Sequence, residues 1–209
     1  MIGSHDSFTF EKSTSWIYNK GKRWWRTQGK SIKEQYAFGI RMFDIRVFRD
    51  GGRWRTCHGK VNLRTCFKDI EEICLWMQAN CPGAIYRIVL EKGDASVFYQ
   101  QADPAFVVKY PNLWRMDVKE SGKWLGEVYN NNQGLYDRGY KFALVDVWTP
   151  PAHELHGFLT AKNFYKTDLR KEAMRINREL DFFKNPARLE EMKESLEELY
   201  FLDYCTGEY

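Results

Sequence analysis

The sequence predicts a single α/β domain built around a largely parallel sheet. Its 209 residues are enough for one domain with a sizeable core. Short apolar runs, several of them ending in a polar residue, alternate with stretches of helical period, and no repeat is visible. This alternation is typical of parallel strands joined by crossover helices.

Six segments carry the pattern of strands. Several are nearly continuous apolar runs, as expected for strands that are buried on both faces. The predicted strands are residues 1–5, 40–48, 54–58, 84–91, 141–148 and 199–205. Polar and charged residues stand near their ends, and a closed parallel barrel would gather these side chains at one mouth.

Three helices are predicted between or after these strands. Apolar residues recur at helical spacing over 67–77, before a breaker cluster at 80–83. A second such pattern covers 169–183. A third follows Asn185, which suits an N-cap, and extends over 186–199 with proline in its first turn.

Composition favours a soluble globular protein, with 44% hydrophobic and 29% charged residues. No apolar stretch approaches the ~18 residues of a membrane span. Because Met1 adjoins the first predicted strand, we expect no signal peptide and a cytoplasmic chain. We also expect a monomer. The five cysteines are odd in number and lack CxxC spacing, which favours reduced thiols in the core.

Two of the four histidines stand in polar motifs near predicted strand ends, on either side of a strand that carries Asp44 and Arg46. Two imidazoles can act as the base and the acid of phosphodiester cleavage near neutral pH. A guanidinium can stabilise the charge that develops on the phosphoryl oxygens. This set of side chains predicts phosphoryl transfer without a metal ion. The two imidazoles and the guanidinium belong to His5, His58 and Arg46, and the orienting carboxylates belong to Asp6 and Asp44.

Structural alternatives exist for each of these residues. His5 suits a hydrogen bond within its own turn, and His58 suits a simple strand end. Arg46 could pair with Asp44, which lies two residues away on the same strand face.

Taken together, these motifs resemble the X domain of phosphatidylinositol-specific phospholipase C, in its bacterial and X-domain-only forms. The matching residues are Ile2, Gly3, Ser4, His5, Asp6, Ser7, Gln35, Gly39, Ile40, Arg41, Phe43, Asp44, Ile45, Arg46, His58, Gly59 and Glu91. Their order and spacing agree over residues 1 to about 91. We interpret residues 1–209 as one such catalytic domain.

The resemblance implies an irregular or shortened TIM barrel, with no metal and no cofactor. His5 would deprotonate the inositol 2-hydroxyl, and His58 would protonate the diacylglycerol oxygen. Arg46 would take the place of the calcium ion of the metal-dependent branch, supported by Asp6 and Asp44. The products would be diacylglycerol and inositol 1,2-cyclic phosphate.

The resemblance also implies an aspartate that pairs with the general base, and Asp203 near the end of the last predicted strand matches it. Glu91 departs from the bacterial forms, which carry a basic residue at this position. Further candidates for contacts with the substrate are Lys60, Lys92 and Trp148.

A basic and aromatic segment over 12–33 follows the first strand, where the bacterial enzymes place a membrane-facing helix. Tryptophan at headgroup level and cations near anionic lipid suit such a surface. The candidate residues are Trp16, Trp24, Trp25, Lys22 and Arg23. A core helix with inward tryptophans and a single-stranded nucleic-acid surface are alternatives. The resemblance favours an anionic membrane, and no nucleic acid is expected.

Two other functions stay open from the sequence. One is a non-catalytic module that binds inositol lipids with the same fold. The other is a phosphodiesterase that acts on glycerophosphodiesters or sphingolipids with a divalent cation.

Overall fold

The computed structural model describes residues 1–102, 104–110, 112–116, 169–178, 180–194 and 200–206. In this part of the chain there are seven strands: β1 (Ile2–Ser4), β2 (Met42–Asp50), β3 (Arg53–His58), β4 (Val61–Phe67), β5 (Ile85–Lys92), β6 (Leu113–Met116) and β7 (Tyr200–Leu202). The helices are α1 (Trp16–Lys20), α2 (Ile32–Phe38), α3 (Ile70–Asn80), α4 (Ala95–Gln101), α5 (Pro104–Lys109), α6 (Leu169–Asn177), α7 (Asp181–Lys184) and α8 (Pro186–Glu194). A short 3₁₀ helix covers Lys22–Trp24.

Five strands of the sheet pair in parallel, in the order β7-β1-β2-β5-β6. The last described strand therefore lies beside the first, as in a barrel. Each of β6 and β7 has one neighbour among the described strands, so the sheet seen here is open. This is the α/β architecture of an irregular barrel, and it agrees with the predicted fold class.

An antiparallel hairpin of β3 and β4 interrupts the parallel order. The first residues of β2 pair with β1, and Val47 to Asp50 pair with β3. Since β5 occupies the other edge of β2, β1 and β3 follow each other along one edge. The turn of the hairpin is thereby placed near the carboxyl end of β1.

The observed elements correct some of the predicted ones. The predicted helix over 67–77 begins later, because Phe67 ends β4 and Asp69 caps α3 by accepting a hydrogen bond from the Glu72 amide at 2.8 Å. Strand β4 was not predicted. The predicted helix over 169–183 is divided into α6 and α7.

Other boundaries agree more closely with the sequence. Strands β2 and β5 lie within two residues of their predicted bounds. The Asn185 side chain accepts a hydrogen bond from the Ala187 amide at 3.0 Å, so it caps α8 as predicted. The predicted strand over 141–148 lies outside the described residues.

The described core fills the space between the sheet and its helices. Fully buried side chains include Ile2, Phe43, Ile45, Trp54, Leu63, Ile70, Ile88 and Leu202. None of the five cysteines forms a disulfide bond, and burial raises the pKa of the Cys74 and Cys81 thiols to about 12. None of the described helices has the length and apolar character that crossing a bilayer requires.

Candidate active site

His5 lies directly after β1 and pairs with Asp203, which directly follows β7. The Nδ1 atom of His5 is 2.7 Å from Oδ1 of Asp203. The pairing of β1 with β7 brings the two residues together, and the His5 amide donates to the Leu202 carbonyl at 3.2 Å. An imidazole held in this way donates from Nδ1 to the carboxylate and presents Nε2 to the mouth.

The turn after β1 is held on β2 by Ser7. Its hydroxyl accepts a hydrogen bond from the Asp44 amide and donates to the Ser4 carbonyl, both at 2.8 Å. The Asp6 amide donates to Asp44 Oδ2 at 3.2 Å, and Asp6 adopts a left-handed φ of 45°. Aspartate tolerates this backbone region better than most residues, and such strain concentrates at functional sites.

Arg46 lies at the centre of the cluster. Asp44 and Arg46 share one face of β2, and the guanidinium Nε is 3.3 Å from Asp44 Oδ2 and in contact with Asp6. One terminal nitrogen is 3.3 Å from Oε2 of Glu91, and the other is 2.9 Å from Nε2 of His5. Burial lowers the pKa of Arg46, but the surrounding carboxylates outweigh this effect and raise the pKa above its ordinary value.

A second arginine, Arg87, supports Asp44 from β5. Asp44 and Arg87 are register partners in the sheet, and Arg87 Nε donates to Asp44 Oδ1 at 3.0 Å. Both side chains are fully buried. Burial raises the pKa of Asp44, but the Arg87 and Arg46 guanidiniums outweigh it and hold the pKa below its usual range. Asp44 is therefore charged at neutral pH.

His58 ends β3, at the turn of the hairpin. Its Nε2 atom is 3.2 Å from Oδ2 of Asp6, and Nε2 of His5 is 3.5 Å from the same oxygen. Both imidazoles are partly exposed, whereas the Asp6 carboxylate between them is fully buried. A substrate that enters from solvent therefore meets two imidazoles backed by a carboxylate and a guanidinium.

The carboxylates around His5 change its protonation. Burial lowers the pKa of His5, but the charges of Asp6 and Asp203, together with the hydrogen bond to Asp203, outweigh it and raise the pKa to about 9. The guanidinium of Arg46 acts in the opposite direction. The neighbouring carboxylates therefore favour the protonated form of His5, whereas the Arg46 nitrogen at 2.9 Å from Nε2 favours the neutral form.

Three supporting residues were not identified from the sequence. The Gln28 amide donates to the carbonyls of His5 and Leu202, at 2.9 and 2.7 Å, and the Thr27 hydroxyl donates to the His5 carbonyl at 3.1 Å. Asn177 donates to the Asp203 carbonyl at 2.9 Å. These residues fix the backbones that carry the pair, and single polar residues in loops give no periodic signal.

Of the four residues predicted to contact the substrate, the structure places only Glu91 in contact with Arg46 among those that it describes. Lys92 pairs with Phe48 where the register of β2 and β5 is irregular, and its ammonium lies 4.2 Å from the centre of the Phe48 ring. Lys92 Nζ donates to the Gly59 carbonyl at 3.2 Å and to Asn62 Oδ1 at 2.7 Å, so it braces the hairpin turn. Lys60 is exposed in this turn. Trp148 lies outside the described residues.

The basic and aromatic segment has an exposed apolar face on α1. Trp16 is 66% exposed and Ile17 is 61% exposed. Trp25 is buried, and its indole nitrogen donates to the Tyr18 carbonyl at 2.8 Å. The prediction that Trp25 faces a membrane is therefore wrong, because this side chain packs into the core. Two further candidates, Lys22 and Arg23, are exposed, and the side chain of Trp24 lies outside the described part.

The segment before α1 is attached to the hairpin that carries His58. The Thr14 amide and the Ser13 hydroxyl donate to the Asn62 carbonyl, at 2.9 and 3.0 Å. Asn62 also accepts from Lys92. The exposed face of α1 thus belongs to the same end of the sheet as the imidazole pair.

His5, Asp6 and Asp44 offer ligand atoms that lie within 4.8 Å of one another, a spacing that suits a metal ion. In the described part of the chain, a permanent cation, the guanidinium of Arg46, lies beside these three residues. The guanidinium of Arg46 already contacts both carboxylates, so a metal ion would have to compete with it. The donor set fits an ion only if Arg46 moves away.

Solved structures that resemble this fold include phosphatidylinositol-specific phospholipases C of bacteria. The Staphylococcus aureus enzyme is 13% identical, with a TM-score of 0.56 over 99% of this chain and 86% of its own. The Listeria monocytogenes enzyme is 17% identical, with a TM-score of 0.53 over 98% and 87%. No family model matches the sequence, and no curated protein matches it. At these identities the likeness establishes the fold, an irregular α/β barrel similar to that of these phospholipases.

Proposed function

We propose that this protein is a phosphatidylinositol-specific phospholipase C-like phosphodiesterase that works without a metal ion. The observation that carries the proposal is the set of contacts around Arg46, which joins the base candidate His5 to three carboxylates. The fold shared with the bacterial phospholipases supports the same chemistry. The substrate is phosphatidylinositol, cleaved to diacylglycerol and inositol 1,2-cyclic phosphate.

The first proton transfer begins at His5. Once deprotonated, its Nε2 takes the proton of the inositol 2-hydroxyl, and the oxygen attacks phosphorus. Asp203 holds Nδ1 at 2.7 Å, which fixes the ring orientation and stabilises the imidazolium that forms. General-base catalysis of this kind contributes about 10²–10⁴-fold.

Arg46 and His58 act on the other atoms of the phosphodiester. As the bond to the lipid oxygen breaks, negative charge grows on the phosphoryl oxygens, and the planar guanidinium stabilises it. His58 gives its proton to the leaving oxygen, and Asp6 at 3.2 Å orients this imidazole. No step needs an ion at the carboxylates, because Arg46 supplies the positive charge.

The membrane partner is an anionic bilayer surface. Trp16 and Ile17 present an exposed apolar face, and Lys20, Lys22 and Arg23 add positive charge next to it. Each basic residue near anionic lipid contributes about 1 kcal/mol. Peripheral adsorption through α1 brings the lipid headgroup to the imidazole pair.

The decisive experiment measures diacylglycerol release from phosphatidylinositol vesicles with a chelator present. We expect turnover in the wild type and a loss of at least about 10²-fold in both His5→Ala and His58→Ala. Exposed Lys68→Ala serves as the matched control and keeps full activity. Full activity in either histidine variant would overturn the two-histidine mechanism.

The same assay separates the other functions. Vesicle binding with no cleavage of any phosphodiester would indicate a lipid-binding module. Activity that disappears with the chelator and returns with a divalent cation would indicate metal-dependent cleavage at the cluster of His5, Asp6 and Asp44.

A further inference from the structure

The outer part of the Arg46 guanidinium is covered by Glu91. Asp6 and Asp44 hold the Nε side of the group and are fully buried, whereas Glu91 contacts a terminal nitrogen and is 17% exposed. Of these three carboxylates, Glu91 is thus the one nearest to solvent. An anion that binds the terminal nitrogens of Arg46 therefore lies close to the charge of Glu91.

Among the residues that the structure describes, the charges next to Arg46 are close to balance before any substrate binds. Asp6, Asp44, Glu91 and Asp203 supply four negative charges, while Arg46, Arg87 and protonated His5 supply three positive charges. In the proposed mechanism, protonated His58 beside Asp6 supplies a fourth positive charge. The Lys92 ammonium keeps its charge, but its hydrogen bonds go to the Gly59 carbonyl and Asn62 Oδ1 at the hairpin turn. A second negative charge on a ligand is therefore less favourable than the first.

We propose that Glu91 sets the charge selectivity of the site, admitting singly charged phosphodiesters and disfavouring doubly charged phosphomonoesters. The inference rests on the proposed function, in which Arg46 binds the phosphoryl group. The physical basis is Coulomb repulsion in a partly buried site, which scales with the charge of the ligand. Glu91 acts here as a specificity residue and takes no part in proton transfer.

The test compares the binding of two small probes at pH 8 by NMR titration. Dimethyl phosphate carries one negative charge, and methyl phosphate carries close to two, since its second pKa lies near 6. Glu91→Gln keeps the shape of the side chain and removes its charge. We expect it to tighten dimethyl phosphate by about 5-fold and methyl phosphate by about 25-fold, because the repulsion removed is twice as large for two charges.

The matched control is Glu191→Gln, an exposed glutamate on α8 that pairs with Arg188, and it should leave both affinities unchanged. Equal tightening of both probes, or none, would overturn the role of Glu91. Arg46→Met tests the underlying proposal separately, because it should weaken both probes at least tenfold. Unchanged binding in Arg46→Met would mean that Arg46 does not bind anions, and the proposed function itself would fail.

Discussion

The imidazole of His5 lies between groups of opposite charge, and this setting governs when it can accept a proton. Nδ1 faces the Asp203 carboxylate, and Nε2 faces the Arg46 guanidinium at 2.9 Å. The Asp6 and Asp203 carboxylates outweigh burial and raise the pKa of His5 to about 9. Only the neutral imidazole can serve as the base, so activity depends on how readily His5 releases its proton.

Asp203→Asn should move the pH profile to lower pH. Turnover needs neutral His5 as the base and protonated His58 as the acid, and one limb of the kcat/KM profile follows the pKa of His5, near pH 9 in the wild type. Without the Asp203 charge the pKa of His5 falls, so this limb moves to lower pH. The rate on the plateau should drop about 10²–10⁴-fold, because the ring loses its orienting partner.

The measurement is kcat/KM between pH 5 and 10, with His156→Ala as a histidine control remote from these motifs in the sequence.

The pH dependence of the free energy of unfolding gives an independent check, since the pKa of His5 is higher in the folded state than its ordinary 6.5. Its charged form stabilises the fold fully below pH 6.5, and this contribution disappears as the pH rises through 9. An Asp203→Asn profile identical to the wild type would contradict the pairing.

Arg87 is a buried cation whose charge is balanced by Asp44. Replacing it with methionine leaves Asp44 buried with one cation fewer, which costs about 3–5 kcal/mol in the free energy of unfolding. The exposed pair of Arg55 with Asp50 provides the comparison, and Arg55→Met should cost about 1 kcal/mol or less. Urea denaturation followed by fluorescence measures both. A similar small loss in the two variants would show that the Asp44 charge is satisfied without Arg87.

At the scale of elements, the sequence predicts strand ends well and short segments poorly. Strands β2 and β5 follow from long apolar runs, and in the structure Arg46 on β2 contacts Glu91 on β5. Strand β4 was missed because polar and apolar residues in Val61–Phe67 do not form such a run. Trp25 was misplaced because it follows two very short elements, α1 with five residues and a 3₁₀ helix with three, and their periodicity is too short to indicate which tryptophan faces the core.

The exposed face of α1 should determine vesicle binding and leave the chemistry unchanged. Trp16→Ala removes a large apolar side chain that is 66% exposed, so the affinity for phosphatidylinositol vesicles should fall about tenfold. Cleavage of a short-chain monomeric substrate should stay within about twofold. Co-sedimentation with vesicles and a soluble assay measure the two effects.

The control for Trp16 is Leu75 on α3, an exposed apolar residue outside this face. Leu75→Ala should bind vesicles like the wild type. If Trp16→Ala and Leu75→Ala lose affinity equally, adsorption is not specific to α1.

At the scale of the whole molecule, the site depends on contacts between residues far apart in the chain. His5 and Asp203 meet because β1 pairs with β7, and Gln28 joins both strand ends. A family resemblance indicated Asp203, but the register of β1 and β7 is a tertiary property that local sequence patterns do not specify. The supporting amides of Gln28 and Asn177 depend on the same register, so they could not be predicted.

We propose that residues 1–209 form one domain, and cooperative unfolding tests this directly. Strand β1 at one end of the chain and β7 at the other share a buried core, with Ile2 and Leu202 both fully buried. Loss of either strand therefore removes the neighbour of the other, and intermediates should not accumulate. Far-UV circular dichroism and tryptophan fluorescence should give one coincident urea transition, and Leu202→Ala should shift both to lower urea by the same amount, with a cost of about 2–5 kcal/mol. Two separated transitions, or a shift seen by one probe alone, would mean that the strands belong to units that unfold independently.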